Sequence, residues 1–315
     1  MRKNKNAELI EGYVYQHNLA IRKVENTNSP NFGKPFISGT LDVAVDEACT
    51  NVLQVHYTYV TEVYNSGKVN NTFVNLKRII ENGKTVVEDG IENALKVSLS
   101  PSLALNDFYP EGSEEVVSQM RNEGGFVNIV TDLRPEDKRA TFDLDVILTG
   151  FKMVEPDAEK GIETEYAELR GVAFDFRNAI LPITLVARNP QLIKGLESYE
   201  ISGSNPVYTE LMGNIVSSVV SKEVVIEGAF GMTSVDTVNR RVREWEVTMP
   251  RRKEPYLFDD ESTITKAELT KALEDRNVYL AEQKKRTEDY RAAKAVNAAP
   301  AASNLKTIKD EEFNF

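Results

Sequence analysis

Cysteine, histidine and tryptophan are nearly missing from this chain of 315 residues, which holds one Cys, two His and one Trp. With Cys49 alone no disulfide can close within the chain, which fits a reducing compartment. Its neighbours Ala48 and Thr50 mark it as a small packing residue. His17 and His56 are too few for a His-rich metal site, a single Cys makes a zinc site improbable, and no metal or other cofactor is expected. No apolar run approaches the ~20 residues that span a bilayer. The basic start Met1 to Asn6 leads into no continuous apolar stretch of the signal-peptide kind, so a soluble cytoplasmic protein with no membrane contact is expected. Catalytic motifs are missing as well. There is no Walker-type phosphate loop, no Gly-x-Ser-x-Gly elbow, no His-Glu-x-x-His and no convincing two-metal carboxylate pattern. The acid runs at 155–159 and 259–261 fall where turns or helix starts are expected. An enzyme is not expected.

What the sequence does hold is apolar material for one large core or two ordinary ones, with 41% hydrophobic and 28% charged residues. The net charge is −11. That total opposes nucleic-acid binding, because a phosphate-binding domain needs a basic footprint. Distribution matters more than the total. Basic residues gather at Arg240-Arg241-Val242-Arg243 and Arg251-Arg252-Lys253, while acids crowd the C-terminal end.

From about residue 8 to 255 the pattern is that of strands. Leu9–Tyr15, Phe36–Val45 and the β-branched and aromatic run Val52–Val60 alternate, with loops at Asn26–Gly33, Asn65–Lys68 and Gly203–Pro206. A helix is expected near Thr72–Ile80, where Phe73, Leu76, Ile79 and Ile80 keep helical spacing. A weak repeat is visible. A strand with Gly (9–15), a polar loop, a strand with Gly (36–43) and a third strand (52–60) are echoed by 146–152, 167–174 and 181–187. Glycine within a strand often marks a bulge or a barrel corner. Two bent strands followed by a third, and in the first unit by a helix, is the order of an OB barrel; two unrelated meanders would share the glycine pattern by chance. The expected fold is mainly β with some α, a pair of duplicated OB-like antiparallel barrels followed by a C-terminal helix and a disordered acidic tail. The expected divisions are 1–140 for the first barrel with its inserted helix, 141–255 for the second, 256–296 for the helix and 297–315 for linker and tail. The helix opens on Thr265, with Glu268 three residues on as a capping-box partner.

Single-strand binders need aromatic faces on which bases stack and cations for the backbone. Tyr13, Tyr15 and His17 alternate, as do Tyr57 and Tyr59, which would put each set on one strand face. The loop Phe32-Gly33-Lys34-Pro35-Phe36 puts two aromatics around a Lys, and Phe176 and Arg177 are adjacent in the second unit. Arg241, Arg243 and Trp245 alternate on one strand and are hard to assign to a core, since two guanidiniums are costly to bury. Alternating aromatics can also be the core face of a barrel strand, and that alternative stays open for each pair. The tail Asp310-Glu311-Glu312-Phe313-Asn314-Phe315 follows an Ala/Pro-rich linker. An apolar pocket could hold Phe313 or Phe315 while basic groups pair with Asp310, Glu311 and Glu312.

This tail resembles the acidic, Phe-terminated C-terminus of bacterial and phage single-stranded DNA-binding proteins. The body resembles a group of phage-encoded proteins of similar length through Glu11–Tyr15, Pro35–Leu41, Arg121–Val127 and Glu254–Thr263. The resemblance implies an OB-fold protein that coats and protects single-stranded DNA during phage replication and recombination, in the cytoplasm of an infected bacterium. It also implies a tail that recruits replication and recombination proteins. Two features depart from the bacterial pattern: the body is about twice as long, and Asn314 stands where a Pro usually precedes the last Phe. A virion or assembly component, or a recombination mediator, are the rival readings.

Overall fold

Alternating β-branched and aromatic residues give strands wherever half of a segment must be buried. In the computed structural model, which describes residues 4–157, 162, 164–227, 233–258 and 263–298 (side chains 218–227, 233–242 and 295–298 excepted), such segments make most of the body. In chain order the elements are β1 (Asn6–His17), β2 (Ala20–Lys23), β3 (Pro35–Ala44), β4 (Val52–Thr61), α1 (Asn71–Asn82), α2 (Val86–Asp89), β5 (Lys96–Phe108) and β6 (Val117–Ile129). There follow β7 (Ala140–Val154), β8 (Tyr166–Phe174), β9 (Ile180–Ala187), α3 (Pro190–Glu197), β10 (Val207–Glu227), β11 (Thr233–Pro250) and α4 (Lys266–Ala298). The chain is therefore mainly β with a few helices and a long helix at its C-terminal side, as expected.

The pairings form two circuits. β1 pairs with β3, β3 with β4, β4 in parallel with β6, β6 with β5, and β5 again with β1. In the second, β7 pairs with β8, β8 with β9, β9 in parallel with β11, β11 with β10, and β10 again with β7. The circuits are joined because Asn6–Ile10 of β1 pairs with Ala140–Leu144 of β7. Two glycines permit the close approaches this needs. A Cβ on Gly12 would stand 2.1 Å from the Ala44 carbonyl oxygen, and Gly39, at φ +136°, lies where side-chain-bearing residues rarely go.

Inside the first circuit Ile10, Val14, Leu41, Val43, Leu53 and Val55 are fully buried. Helix α1 covers this core with Phe73, Leu76 and Ile79, and Asn70 caps it by accepting from the Thr72 N–H at 3.1 Å. Each such large apolar side chain contributes about 1.5–3 kcal/mol on burial. The second circuit is filled by Phe142, Leu144, Leu169, Leu185 and Leu211, with Leu196 of α3 against them.

Helix α4 begins with the expected capping box. The Thr265 N–H donates to Glu268 Oε2 at 2.8 Å, and the Glu268 N–H donates to Thr265 Oγ1 at 3.1 Å. Leu269 packs with Ile264 against Phe174, Tyr208 and Tyr256 of the second half. Further along, Arg276 reaches across to Asp107 of β5 at 2.7 Å, with both side chains almost covered. Tyr109 Oη donates to the Leu280 carbonyl at 2.9 Å, and Arg291 donates to the Tyr109 carbonyl at 2.7 Å. The helix thus straps the β5–β6 hairpin to the second half. No helix among the described residues is long and apolar enough to cross a membrane.

Candidate nucleic-acid interface

Two β-bulges decide which aromatics face solvent. On β4, Val60 lies opposite Ile37 while Tyr57 lies opposite Gly39, so β4 carries one extra residue there. A one-residue slip moves every later side chain to the other face. Tyr57 therefore stays in the core at 1% exposure, whereas Tyr59 turns outward at 47%. The expected shared face of Tyr57 and Tyr59 is corrected accordingly. The same event occurs on β1, where Val14 pairs with Val43 but Gln16 with Asp42, leaving Tyr15 as the extra residue. Opposed residues share a face, so Tyr13, opposite Ala44, and His17, opposite Leu41, end on opposite faces.

The outward turn of Tyr59 sets it against Phe36, ring centroids 4.8 Å apart and tilted by 42°. Phe36 lies opposite Arg22 of β2 and opposite Thr61 of β4. Arg22, Lys23, Asn26, Phe36 and Tyr59 line an open cleft of about 590 Å³. Beside it a second cleft of about 500 Å³ is lined by Asn31, Lys34, Thr61, Tyr64 and Asn65. Phe32 in the loop is 56% exposed, and the Lys34 ammonium donates to Asn31 Oδ1 at 3.0 Å. Among the described residues Arg22, Lys23 and Lys34 form no ion pair, although Glu25 also lines the first cleft and Glu62 the second. Accessible rings beside cations held in no ion pair are what stacking bases and phosphates require.

Other expected site residues lie elsewhere. Tyr13 is 9% exposed, with the Lys96 ammonium 5.8 Å from its ring centroid, so neither it nor Tyr57 offers a face to a base. Burial pushes the Tyr57 hydroxyl well above the usual tyrosine range. Tyr15 and His17 are half-buried. Burial lowers the His17 pKa, opposed by Glu88 of α2. Phe176 is 80% exposed with the Arg177 guanidinium 4.9 Å from its ring centroid. That pair borders a cleft of about 760 Å³ between β5, the β8–β9 turn and α4. Asp107, Asp175, Asp275 and Glu123 line it against only Arg177 and Arg276, which disfavours a phosphate backbone.

The strand face that carries Arg243 and Trp245 points inward. Trp245 is 2% exposed and lies opposite the buried Ile215. Its indole N–H donates to Glu8 Oε1 at 2.8 Å. Glu8 is buried, and desolvation raises its pKa to about 8 against the lowering effects of Trp245 and Arg243. Arg243 is half-buried and also acts on His56, whose pKa falls mainly through burial. Its charge is thus directed at the junction of the two halves instead of at solvent. Arg241 pairs through its backbone with Val219, but its side chain lies outside the described ones, and Asp310, Glu311, Glu312, Phe313 and Phe315 lie outside the described residues.

The sequence pointed to Phe36 only as a second aromatic in the loop with Phe32 and Lys34, and Arg22, Lys23 and Tyr64 were missed. A signal was available in the basic pair that closes Ala20-Ile21-Arg22-Lys23 just before the loop to β3. Nothing local revealed that β2 would pair alongside Phe36.

The model of the YorF family matches residues 5–286, and the chain belongs to that family. No curated protein matches it. Among solved structures it is similar to the wild-type single-stranded DNA binding protein from Thermus aquaticus, at 11% identity and a TM-score of 0.46. The match covers 84% of this chain and 98% of that one. A deletion mutant of the same Thermus aquaticus protein matches at 12% identity and a TM-score of 0.44, over 83% of this chain and 100% of that one. With both scores below 0.5, function has to be read from this chain's own residues.

Proposed function

We propose that the chain is a non-enzymatic single-stranded DNA-binding protein built from two OB-like barrels, 1–140 and 141–255, with 256–296 as a helical strap and 297–315 as linker and tail. The two pairing circuits support the barrel reading. Each follows the order first–second–third–fifth–fourth, with a parallel contact between third and fifth strands and a helix between third and fourth. The observation that carries the DNA reading is the exposed Tyr59 ring, packed on the half-buried Phe36, beside Arg22, Lys23 and Lys34, which form no ion pair among the described residues. It lies on the second and third strands of the first circuit, the face and adjoining loop with which OB folds hold oligonucleotides. Bases would stack on Phe36, Tyr59 and Phe32, and the cations would follow the phosphates.

The cellular role that goes with this reading is coating and protecting single strands during phage replication and recombination in a bacterial host. The acidic segment Asp310–Phe315 would recruit replication and recombination proteins. Labelled oligo-dT titrated at low and high ionic strength tests the core of it. Binding should be tight at low salt and fall steeply as salt rises; absence of salt-sensitive binding would end the proposal. Deleting residues 310–315 should abolish partner pull-down without weakening oligo-dT binding, and an unchanged pull-down would remove the recruiting role.

A further inference from the structure

Where the stem of the β10–β11 hairpin meets α3, the surface holds a slot of about 380 Å³. Its walls are Leu192 and Leu196 of α3, Val207 and Leu211 of β10, and Met249 and Pro250 of β11. Arg252 and Lys253 stand at the rim, and no carboxylate lines it. Neither cation makes an ion pair among the described residues. Arg252 donates to the Glu254 carbonyl at 3.3 Å and lies 4.0 Å from the Tyr256 ring centroid. In a chain of net charge −11, a cationic rim without acids around an apolar slot is built for an anionic ligand with an apolar anchor. The walls are mostly aliphatic, with Tyr199 the one aromatic ring among them, whereas stacking successive bases needs several flat aromatic faces. That favours a peptide over a nucleic-acid strand.

A segment of the required chemistry is present in the sequence itself, Asp310-Glu311-Glu312-Phe313-Asn314-Phe315. The chain's own copy is poorly placed to reach the slot. The slot adjoins Tyr256, which packs at the start of α4 with Leu269. Helix α4 then runs 33 residues, or ~50 Å at 1.5 Å per residue, to Ala298. From Ala298 the fifteen further residues to Phe313 span at most ~54 Å, and the seventeen to Phe315 at most ~61 Å, when fully extended. The way back along the helix uses most of that length, even for a fully stretched segment, and leaves ~10 Å or less for a path around the surface.

We propose that the slot between α3 and the β10–β11 stem receives the segment Asp310–Phe315 of a second copy of this chain. One Phe ring would enter the apolar slot while the carboxylates lie on Arg252 and Lys253. The contact would link copies head to tail. It is independent of the DNA reading, because the slot and the Phe36–Tyr59 face are on different elements.

The test uses the full chain. Sedimentation velocity over a range of concentrations should show self-association that weakens with salt and is reversed by excess synthetic peptide 303–315. The double change Arg252→Glu/Lys253→Glu should weaken both association and binding of the labelled peptide at least tenfold, as should Met249→Arg. Phe313→Ala/Phe315→Ala should abolish association while leaving the slot able to take added wild-type peptide. Thermal melts confirm that each variant is folded. Slot variants that melt like the wild type yet still associate and bind peptide would overturn the assignment. So would a wild-type chain that stays monomeric, or peptide displaced by oligo-dT at the slot, since the occupant would then be nucleic acid. Oligo-dT binding read on the same samples reports on the DNA proposal separately.

Discussion

Replacing Glu8 by Gln should remove a large, specific part of the pH dependence of stability. Glu8 is buried where β1 meets the second half, accepts one bond from the Trp245 indole, and leaves Oε2 with no hydrogen-bond partner. In the fold it holds its proton to about pH 8, against 4.5 for an ordinary glutamate. Between those values the folded state carries a proton that the unfolded state has lost. The contribution is therefore fully present below pH 4.5 and is lost as pH rises through 8, at up to ~1.4 kcal/mol per pH unit. Over the whole window the loss amounts to ~3–5 kcal/mol. Arg243 moderates this without removing it, because desolvation is the larger effect. A glutamine keeps an oxygen for the Trp245 N–H and cannot ionise. Urea unfolding read by the fluorescence of Trp245, the only tryptophan, gives the assay directly. Glu8→Gln and wild type should be of similar stability at pH 5, and the variant should be ~3 kcal/mol or more the stronger at pH 8.5. Subtracting the two profiles cancels every other titrating group. Parallel profiles would show that Glu8 is solvated and that the junction is not built as described.

Other expectations follow from the same geometry. Tyr57→Phe should leave oligo-dT binding unchanged and stabilise the fold by ~1 kcal/mol in chemical denaturation, because the buried hydroxyl has no hydrogen-bond partner. A loss of DNA affinity there would return Tyr57 to the interface. Arg276→Ala should cost ~3 kcal/mol by stranding the nearly covered Asp107 carboxylate, and should speed proteolysis within α4; unchanged melting and cleavage would mean that the helix is not strapped by this pair. Arg22→Ala/Lys23→Ala should weaken oligo-dT binding and lower the slope of log K against log salt by roughly one to two, from ~0.7 per phosphate contact on a single strand. An unaltered slope would move the phosphates to another surface.

Much of the fold was legible because strand periodicity is local. The segments 9–15, 36–43 and 52–60 and their echoes at 146–152, 167–174 and 181–187 all lie within β1, β3, β4, β7, β8 and β9. The Thr265/Glu268 box marked the start of α4, and the Phe73–Ile80 spacing marked α1. The site was less legible because facing depends on register, and register was broken by one residue at Tyr15 and again between Tyr57 and Val60. Alternation in the sequence counts residues, whereas a bulge shifts the count by one. Phe32, Lys34 and Tyr59 are exposed on the proposed face, while Tyr13, Tyr57 and Trp245 are core. The Arg243–Trp245 strand also shows why an inward-facing arginine misleads. The acid directed at Arg243, Glu8, comes from the other end of the chain, 235 positions away, and no local pattern announces it.

Photocrosslinking tests the central claim most directly. Oligo-dT carrying bromodeoxyuridine is irradiated in complex with the full chain, and the modified peptides are mapped by mass spectrometry. The account predicts crosslinks at Phe36, Tyr59 or Phe32, lost on Tyr59→Ala and Phe36→Ala, each ring being worth roughly 1–3 kcal/mol of binding. Crosslinks confined to other surfaces, with affinity unmoved by those two substitutions, would contradict it.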